Sequence, residues 1–510
     1  MRSRLRREIE EHPLRLLLAI GLLLRLVAAV LARGYMATDD HNQVIELAAA
    51  WLRGENDYLS GDRQFYRSLL YPGLNYLQIA GCHLVGITHP DSVMLVNRLL
   101  HALFSLWTIA LTYRLGLRLA DKRVAFTAGL MVAAHAVMPY VAVRNLIEAV
   151  AIPFLLWGLD ETVAAVQEAR FAPRHWLWAG LAFGLAFLIR WQVASAAAGV
   201  GVYLIVRRQW RGLFILTGAA IVPLLAEGWW DWQTHGVFLG SLWRYIEHNA
   251  IHAYDYVVGP WYRYLLLVLG IFIPPFSLLC LYAGVRYWRR LGILAWATLP
   301  FFVVHSLVPG KQERFLLPIF PELALMFVIA LWHWEREHSP AWARWINHGW
   351  RWFWAVNTVL LVGALTHYGQ RGKIEPLIGA YEQGDATGVI VDVSERGRRT
   401  DLPLFYLDGG GVREMPAVVQ AVNIDQVDSL LTASEQWSYV IYFGRSSQGD
   451  ARLTQRYGVP LTIVRHTGPT LVERALLWLN PKYTHSRESW LCRITGRRKQ
   501  DSSLRQGAAE

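Results

Sequence analysis

Cysteine is scarce in this 510-residue chain: Cys82, Cys280 and Cys492 are its only three, widely separated, and the first two lie in apolar stretches. That spacing excludes a disulfide framework and offers no thiolate cluster for a metal. Acidic residues are also short, 39 Asp and Glu against 50 Lys and Arg, for a net charge of +11. In a chain that is 54% hydrophobic this surplus reads as topological, basic residues gathering in cytoplasmic loops, and nucleic acid is set aside as a partner. Repeats and low-complexity tracts are lacking. A small-residue cleavage site is missing too: Arg2, Arg4, Arg6 and Arg7 precede an apolar run from Leu14, which reads as a retained signal anchor with a cytoplasmic N-terminus.

What is abundant is oil and aromatic rings. Aromatics make up 13% of the residues, with 24 Trp, and the mean hydropathy is +0.24. Such a composition predicts a polytopic membrane protein. Apolar runs long enough to cross a bilayer fall at 14–33, 97–117, 123–141, 148–166, 175–190, 192–206, 211–230, 263–287, 291–307, 315–333 and 351–368, so about eleven spans are expected. The run from Tyr71 to Gly86 is interrupted by Pro72, Gly73 and Gly81, which predicts an interfacial or re-entrant helix. Basic clusters at Arg114 to Arg123, Arg170 and Arg174, Arg207 to Arg211, Arg286 to Arg290 and Arg336 to Arg351 then all fall on the cytoplasmic side. The opposite face receives residues 34–96, Arg144 to Glu148, Arg190, 231–262, 308–314 and everything after about 369.

The tail changes character. Val389 to Val391, Leu404 to Leu407, Tyr439 to Phe443 and Leu461 to Val464 are β-branched or aromatic runs between Gly and Asp turns, with a helix expected over Asp425 to Ala433. The expected organisation is an all-α polytopic membrane domain over 1–368, a small extracytoplasmic α/β domain over 369–494, and a frayed polar tail over 495–510.

Four extracytoplasmic clusters are able to carry chemistry, and each has a plainer reading beside it. Asp39 and Asp40 fit a carboxylate that deprotonates a hydroxyl, or a helix N-terminus favouring negative charge. Arg67 fits a phosphate contact at the lip of the interfacial helix, or an ordinary interfacial anchor. Arg144 fits the same phosphate role, or an ion pair with Glu148. Lys311 and Arg314 sit in a short loop on the face that basic residues avoid, and fit binding of a lipid-linked phosphate, or a chance basic loop. The aromatic stretch that includes Trp229, Trp243, Tyr256, Trp261 and Tyr262 fits either sugar stacking or a membrane interface.

These residues in this order resemble glycosyltransferase family 22, the dolichol-phosphate-mannose-dependent mannosyltransferases within the GT-C superfamily. The resemblance rests on Asp39, Asp40, Gln43 and Glu46, then Arg67, Ser68, Tyr71 and Pro72, then Lys311, Glu313, Arg314, Phe315, Leu316, Pro318 and Pro321, across 14 to about 370. It implies a GT-C-like helical fold with interfacial helices in the first outer loop, a polyprenyl-phosphate sugar donor, mannose first among sugars, and inverting transfer to a glycan or glycolipid hydroxyl. It implies Asp39 as the base with Asp40 as second choice, and Lys311, Arg314, Arg67 and Arg144 on the donor phosphate. His41, Gln43, Glu46, Trp261 and Tyr262 are the expected acceptor and sugar contacts. Two positions depart from the family pattern: Gly310 stands where it has His, and Gln312 where it has Glu, with His305 close by in sequence.

No metal or other cofactor is expected if cations carry the phosphate charge, although Asp39, Asp40 and Glu46 are a conceivable divalent-cation set. A monomer in the bacterial inner membrane or the endoplasmic reticulum is expected, acting at the periplasmic or lumenal face. Two rivals stay open: a related transferase acting on lipid A or protein with another polyprenyl-linked sugar, and a lipid-linked sugar transporter, which calls for matching broken helices in two halves.

Overall fold

The structure, a computed structural model, describes residues 11–55, 67–255, 257–395, 397–434, 436–444, 449–479 and 488–496. The arginines before the first apolar run, Tyr256 and the end of the chain from 497 onward lie outside the described residues. The chain divides into two compact units, one comprising Met1–Ala32, Glu55–Asn75 and Leu95–Thr366, the other Arg33–Gly54, Tyr76–Met94 and His367–Glu510.

The first unit is helical. Each of the expected apolar runs falls on helix, and among the described residues five helices are long and apolar enough to cross a membrane: Pro13–Leu31, Pro90–Leu119, Ile147–Gln167, Trp210–Thr234 and Glu313–Glu337. A sixth crossing results if Arg263–Ile271 and Phe276–Arg286, bent by 116°, form one broken span. The bend is local chemistry: Pro274 and Pro275 supply no backbone N–H to continue the ladder, and Ile273 takes a positive φ of 61°. The expected run at 123–141 is broken in the same spirit, into Lys122–Ala134 and Val137–Ala142. There Asn357 staples the exposed backbone, accepting from Ala136 N–H at 2.8 Å and donating to Ala134 O at 2.9 Å. Among the described residues, five of the eleven expected runs fall on these five helices, and the others fall on shorter, interrupted or less apolar helices.

Helices approach closely where glycine permits it. A Cβ on Gly199 would stand 1.8 Å from the Trp296 carbonyl oxygen, so Ala194–Val206 and Ile293–Leu307 can meet only with glycine there. A cation inside the unit shows how polar groups are satisfied in lipid: Arg25, fully buried in Pro13–Leu31, bonds Ser105 Oγ at 2.8 Å and the carbonyls of Gly21, Ala133 and Val132 at 3.2 Å.

The second unit is built on a five-stranded mixed sheet: β1 Gly388–Asp392, β2 Ala417–Ala421, β3 Tyr439–Tyr442, β4 Leu461–Thr467 and β5 Ser489–Ile494, in the order β2-β1-β3-β5-β4. The β1 strand is parallel to both neighbours, with Ile390 opposite Val419 and Val440, and β5 runs antiparallel to β3 and β4. Both β1 and β3 are buried along their whole length, as strands covered on both faces are. One face packs Ile390, Val427, Val440, Leu453 and Tyr457 into a core, which needs the helix Ile424–Ala433 where one is expected.

One expected strand is corrected. Leu404 to Leu407 lies in a short helix, Phe405–Asp408, whose side chains are all buried. Its extension as a strand is stopped by Gly409, Gly410 and Gly411, which take φ values of +71°, +75° and +90°.

Candidate active site

Within the helical unit the chemistry converges on Glu148, which opens the helix Ile147–Gln167 and is fully buried. Its Oε1 lies 3.0 Å from Arg190 Nη2 and 3.7 Å from Arg314 Nη1. Arg190 caps the end of Pro173–Ile189, and Arg314 opens the 3₁₀ turn Glu313–Ile319. Phe315 packs between the cations: the Arg190 guanidinium sits 4.8 Å from its ring centre and that of Arg314 at 5.5 Å. Arg314 Nε donates to Gln312 Oε1 at 2.7 Å, so the glutamine at the departing position orients the guanidinium without adding a charge. Two buried guanidiniums thus meet at one buried carboxylate.

Tyr245, on the helix Gly240–Ile251, belongs to the same surroundings. Burial pushes its phenol above the usual range, opposed by the charges of Arg190 and Arg67, and the Gln192 side chain bonds it. Arg67 is carried by a stretch that Glu227 fixes: its carboxylate accepts Leu69 N–H at 3.0 Å and bonds the Ser68 side chain. Arg144 is buried, with Nη1 donating to Ala32 O at 2.6 Å and its guanidinium 3.9 Å from the Tyr140 ring centre. Arg190 and Arg314 thus stand on Glu148, a pairing that proximity in sequence does not suggest.

Lys311 takes a different position from Arg314. Its ammonium, 1% exposed, donates to the carbonyls of His305 and Ser306 at 2.8 Å and of Val308, closing the C-terminal end of Ile293–Leu307. Burial, then the charge of Arg263, lowers its pKa from the ordinary lysine value. Its backbone is held as well, Lys311 N–H donating to Val257 O at 2.8 Å. Trp261 and Tyr262, 67% and 45% exposed, stack edge to face on each other at 5.8 Å.

In the second unit, Asp39 and Asp40 lie in the first turn of a continuous helical segment, Thr38–Asp40, then a π-helical turn His41–Glu46, then Leu47–Leu52. The N-cap position is Ala37, and it makes no side-chain cap. The aspartates therefore stand inside the first turn and do not cap it. Asp40 is fully buried, whereas Asp39 keeps part of its surface. The His41 ring is stacked against Tyr35 at 4.5 Å and Tyr406 at 5.8 Å, with Nε2 3.2 Å from Glu46 Oε1. Glu46 accepts the Phe405 N–H at 2.9 and 3.1 Å. Gln43 Oε1 is buried with no hydrogen-bond partner among the described residues. No group of three or more His, Cys, Asp and Glu among the described residues is arranged to hold a metal.

The structure thus brings Arg314 to Glu148, and His41 to Glu46, while Lys311 turns into its own loop. Arg190, Tyr245 and Glu227 were missed as site residues in the sequence. Arg190 carried a usable signal, a lone cation ending an apolar helix on the face where basic residues are avoided. Tyr245 and Glu227 carried none, because their partners are far away in sequence.

Comparison with known proteins adds the following. The sequence model of the Alg9-like mannosyltransferase family matches residues 16–382. Alpha-1,2-mannosyltransferase ALG9 of Homo sapiens is 25% identical over 245 residues, covering 41% of this chain and 36% of that protein, and the Mus musculus protein of the same name matches to the same extent. The chain thus matches about a third of the length of these curated relatives. Among solved structures, ArnT from Cupriavidus metallidurans bound to undecaprenyl phosphate superposes with a TM-score of 0.63 at 14% identity, covering 94% of this chain and 97% of that one. Arabinofuranosyltransferase AftD from Mycobacteria gives a TM-score of 0.51 at 16% identity over 94% of this chain and 40% of that one. At such identities the likeness is one of fold.

Proposed function

This chain belongs to the Alg9-like mannosyltransferase family, and from that premise we propose that it is a multi-pass membrane glycosyltransferase moving a sugar, mannose, from a polyprenyl-phosphate donor to a hydroxyl of a glycan or glycolipid, with inversion. The observation that carries the reading is the pair of buried guanidiniums, Arg190 and Arg314, that meet at Glu148. Guanidiniums present a fixed fork of N–H donors suited to phosphate, and the polyprenyl-phosphate carrier is an anion of that kind. The fold neighbour ArnT was solved with undecaprenyl phosphate, a carrier of the same class.

The reaction places its charge where cations help. The acceptor oxygen forms the new bond to the anomeric carbon as the bond from that carbon to the phosphate oxygen breaks, the electron pair leaving with the phosphate. The departing phosphate goes from a singly charged diester to a more highly charged monoester, so guanidiniums stabilise the transition state more than the ground state. Arg314 and Arg190 are the residues proposed for this, with Arg67 and Arg144 as further donors and Tyr245 as a hydrogen-bonding group. Lys311 serves the same end by setting the loop that carries Arg314. The proton of the acceptor hydroxyl passes to Asp39, chosen over Asp40 because Asp39 retains accessible surface. His41, Gln43 and Glu46, with the exposed rings of Trp261 and Tyr262, are proposed for the acceptor and sugar. Because guanidiniums carry the phosphate charge, transfer is proposed to need no metal and to persist in chelator. The excess of basic residues on one set of loops supports a cytoplasmic N-terminus and chemistry at the periplasmic or lumenal face, with the chain acting as a monomer.

The test is transfer by the purified full chain, offered polyprenyl-phosphate-linked mannose, glucose or a pentose in parallel with a glycolipid acceptor. Mannose transfer to a product of inverted anomeric configuration is the expected result. Transfer of another sugar alone, or of none, would overturn the mannose assignment or the transferase reading respectively.

A further inference from the structure

The π-helical turn at His41–Glu46 is an uncommon conformation, and π turns persist only where the surroundings hold them. Here the surroundings come from the tail. His41 and Glu46 are five residues apart, one π turn, and therefore share a face. That face meets two consecutive residues of the tail: the Tyr406 ring stacks on His41 with planes 10° apart, and Phe405 N–H donates to both oxygens of Glu46. Arg53, seven residues beyond Glu46 and so on the same face two α-helical turns later, reaches Asp408 Oδ2 at 2.8 Å.

The tail turn is itself fixed. Asp408, fully buried, accepts Gly410 N–H at 2.8 Å and Gly411 N–H at 3.0 Å, which requires the left-handed backbone of the glycines. A Cβ on Gly410 would stand 2.7 Å from the Phe405 ring, and one on Gly411 3.1 Å from the Arg53 side chain, so the contact is close along its length. Gly409 O adds a bond with His83 Nε2 at 3.1 Å.

Resting on the reading of Asp39 as the base, we propose that Phe405–Gly411 is a positioning element of the transferase, with Tyr406 the positioning residue that holds the π turn and thereby aims the aspartates that precede it. Relaxation of the π turn by one residue toward α-helical winding would rotate Asp39 and Asp40 about the segment axis by about 100°. A base turned by that much no longer meets the acceptor hydroxyl, while the donor phosphate contacts are unaffected. The α/β tail is therefore part of the catalytic apparatus, although it lies beyond the family match, which ends at residue 382.

The experiment compares full-length wild type with Tyr406→Leu, Tyr406→Phe and Arg53→Gln in two readouts. In amide hydrogen exchange, Tyr406→Leu is expected to speed exchange across residues 38–46 by about tenfold while Lys122–Ala134 stays unchanged. In transfer from polyprenyl-phosphate-mannose, the same variant is expected to lose about tenfold in kcat with the donor KM steady, and Tyr406→Phe, which keeps the stacked ring, to restore both readouts. Arg53→Gln loosens the far end of the grip and carries the same comparison, at smaller size, if Tyr406→Leu does not accumulate. Wild-type exchange over 38–46 in both Tyr406→Leu and Arg53→Gln, or a raised donor KM with kcat intact, would overturn the proposal. The exchange readout needs no sugar donor, so a failure of the mannose reading and a failure of this one are told apart.

Discussion

In the helical unit the buried cations Arg190 and Arg314 meet at Glu148 while Arg144 and Lys311 are buried against backbone carbonyls, whereas the other unit buries the carboxylates Glu46 and Asp408, and its cation at that place, Arg53, stays partly exposed. The carboxylates are held by backbone N–H groups at Phe405, Gly410 and Gly411, and the cations are held by one carboxylate, by aromatic faces and by carbonyls. On the proposed function the difference is a division of labour: one set of groups receives the donor's anion, and the other keeps carboxylates in a fixed orientation. Each arrangement is costly unless its partners are present, since removing one member of a buried ionic group typically costs about 3–5 kcal/mol.

The largest effect expected of breaking this comparison is at the carboxylates. Asp39→Asn should lower kcat on the order of 10³-fold, within the range of a general base, and Asp40→Asn should retain more transfer; steady-state kinetics with labelled donor checks both. Next in size is Arg314→Met. It removes one of the two guanidiniums proposed for the phosphate, so the donor kcat/KM should fall about 100-fold, read from initial rates over a donor series. Glu148→Gln sharpens the same point from the other side: Arg190 and Arg314 lose their shared counter-charge, and the fold should lose about 3 kcal/mol, measured by denaturant unfolding in mild detergent. The smallest effect belongs to Trp261→Ala: with that ring 67% exposed, loss of its proposed sugar contact should raise the acceptor KM about threefold with kcat unchanged, in the same assay.

How much of this was legible in the sequence follows the range of the interactions. The apolar helices were readable because burial in lipid writes itself as local composition, and the strands at Val389 to Val391 and Tyr439 to Tyr442 because they are buried on both faces. The strand Ala417–Ala421 was not, since it is an edge strand with a half-exposed pattern and Pro416 just before it. Leu404 to Leu407 misled for a related reason: its rings suit a strand, and only the three glycines after it and the Glu46 carboxylate waiting for Phe405 N–H make it a turn of helix. At the site, Arg314 and the Asp39 pair announced themselves as charges out of place. Lys311 announced itself equally, yet its ammonium serves the carbonyls of its own loop, a distinction that charge alone does not encode. The pairing of Glu148 with Arg190 spans 42 positions and left no local trace.

The comparison between anion-receiving and proton-receiving groups is tested most directly by one titration: equilibrium binding of a polyprenyl phosphate to wild type, Asp39→Asn and Arg314→Met in the same membrane mimic. Asp39→Asn binding as wild type does while Arg314→Met weakens by about tenfold or more is the predicted result. The reverse ranking, or equal affinity in all three, would contradict the division of roles between the two sets of charges.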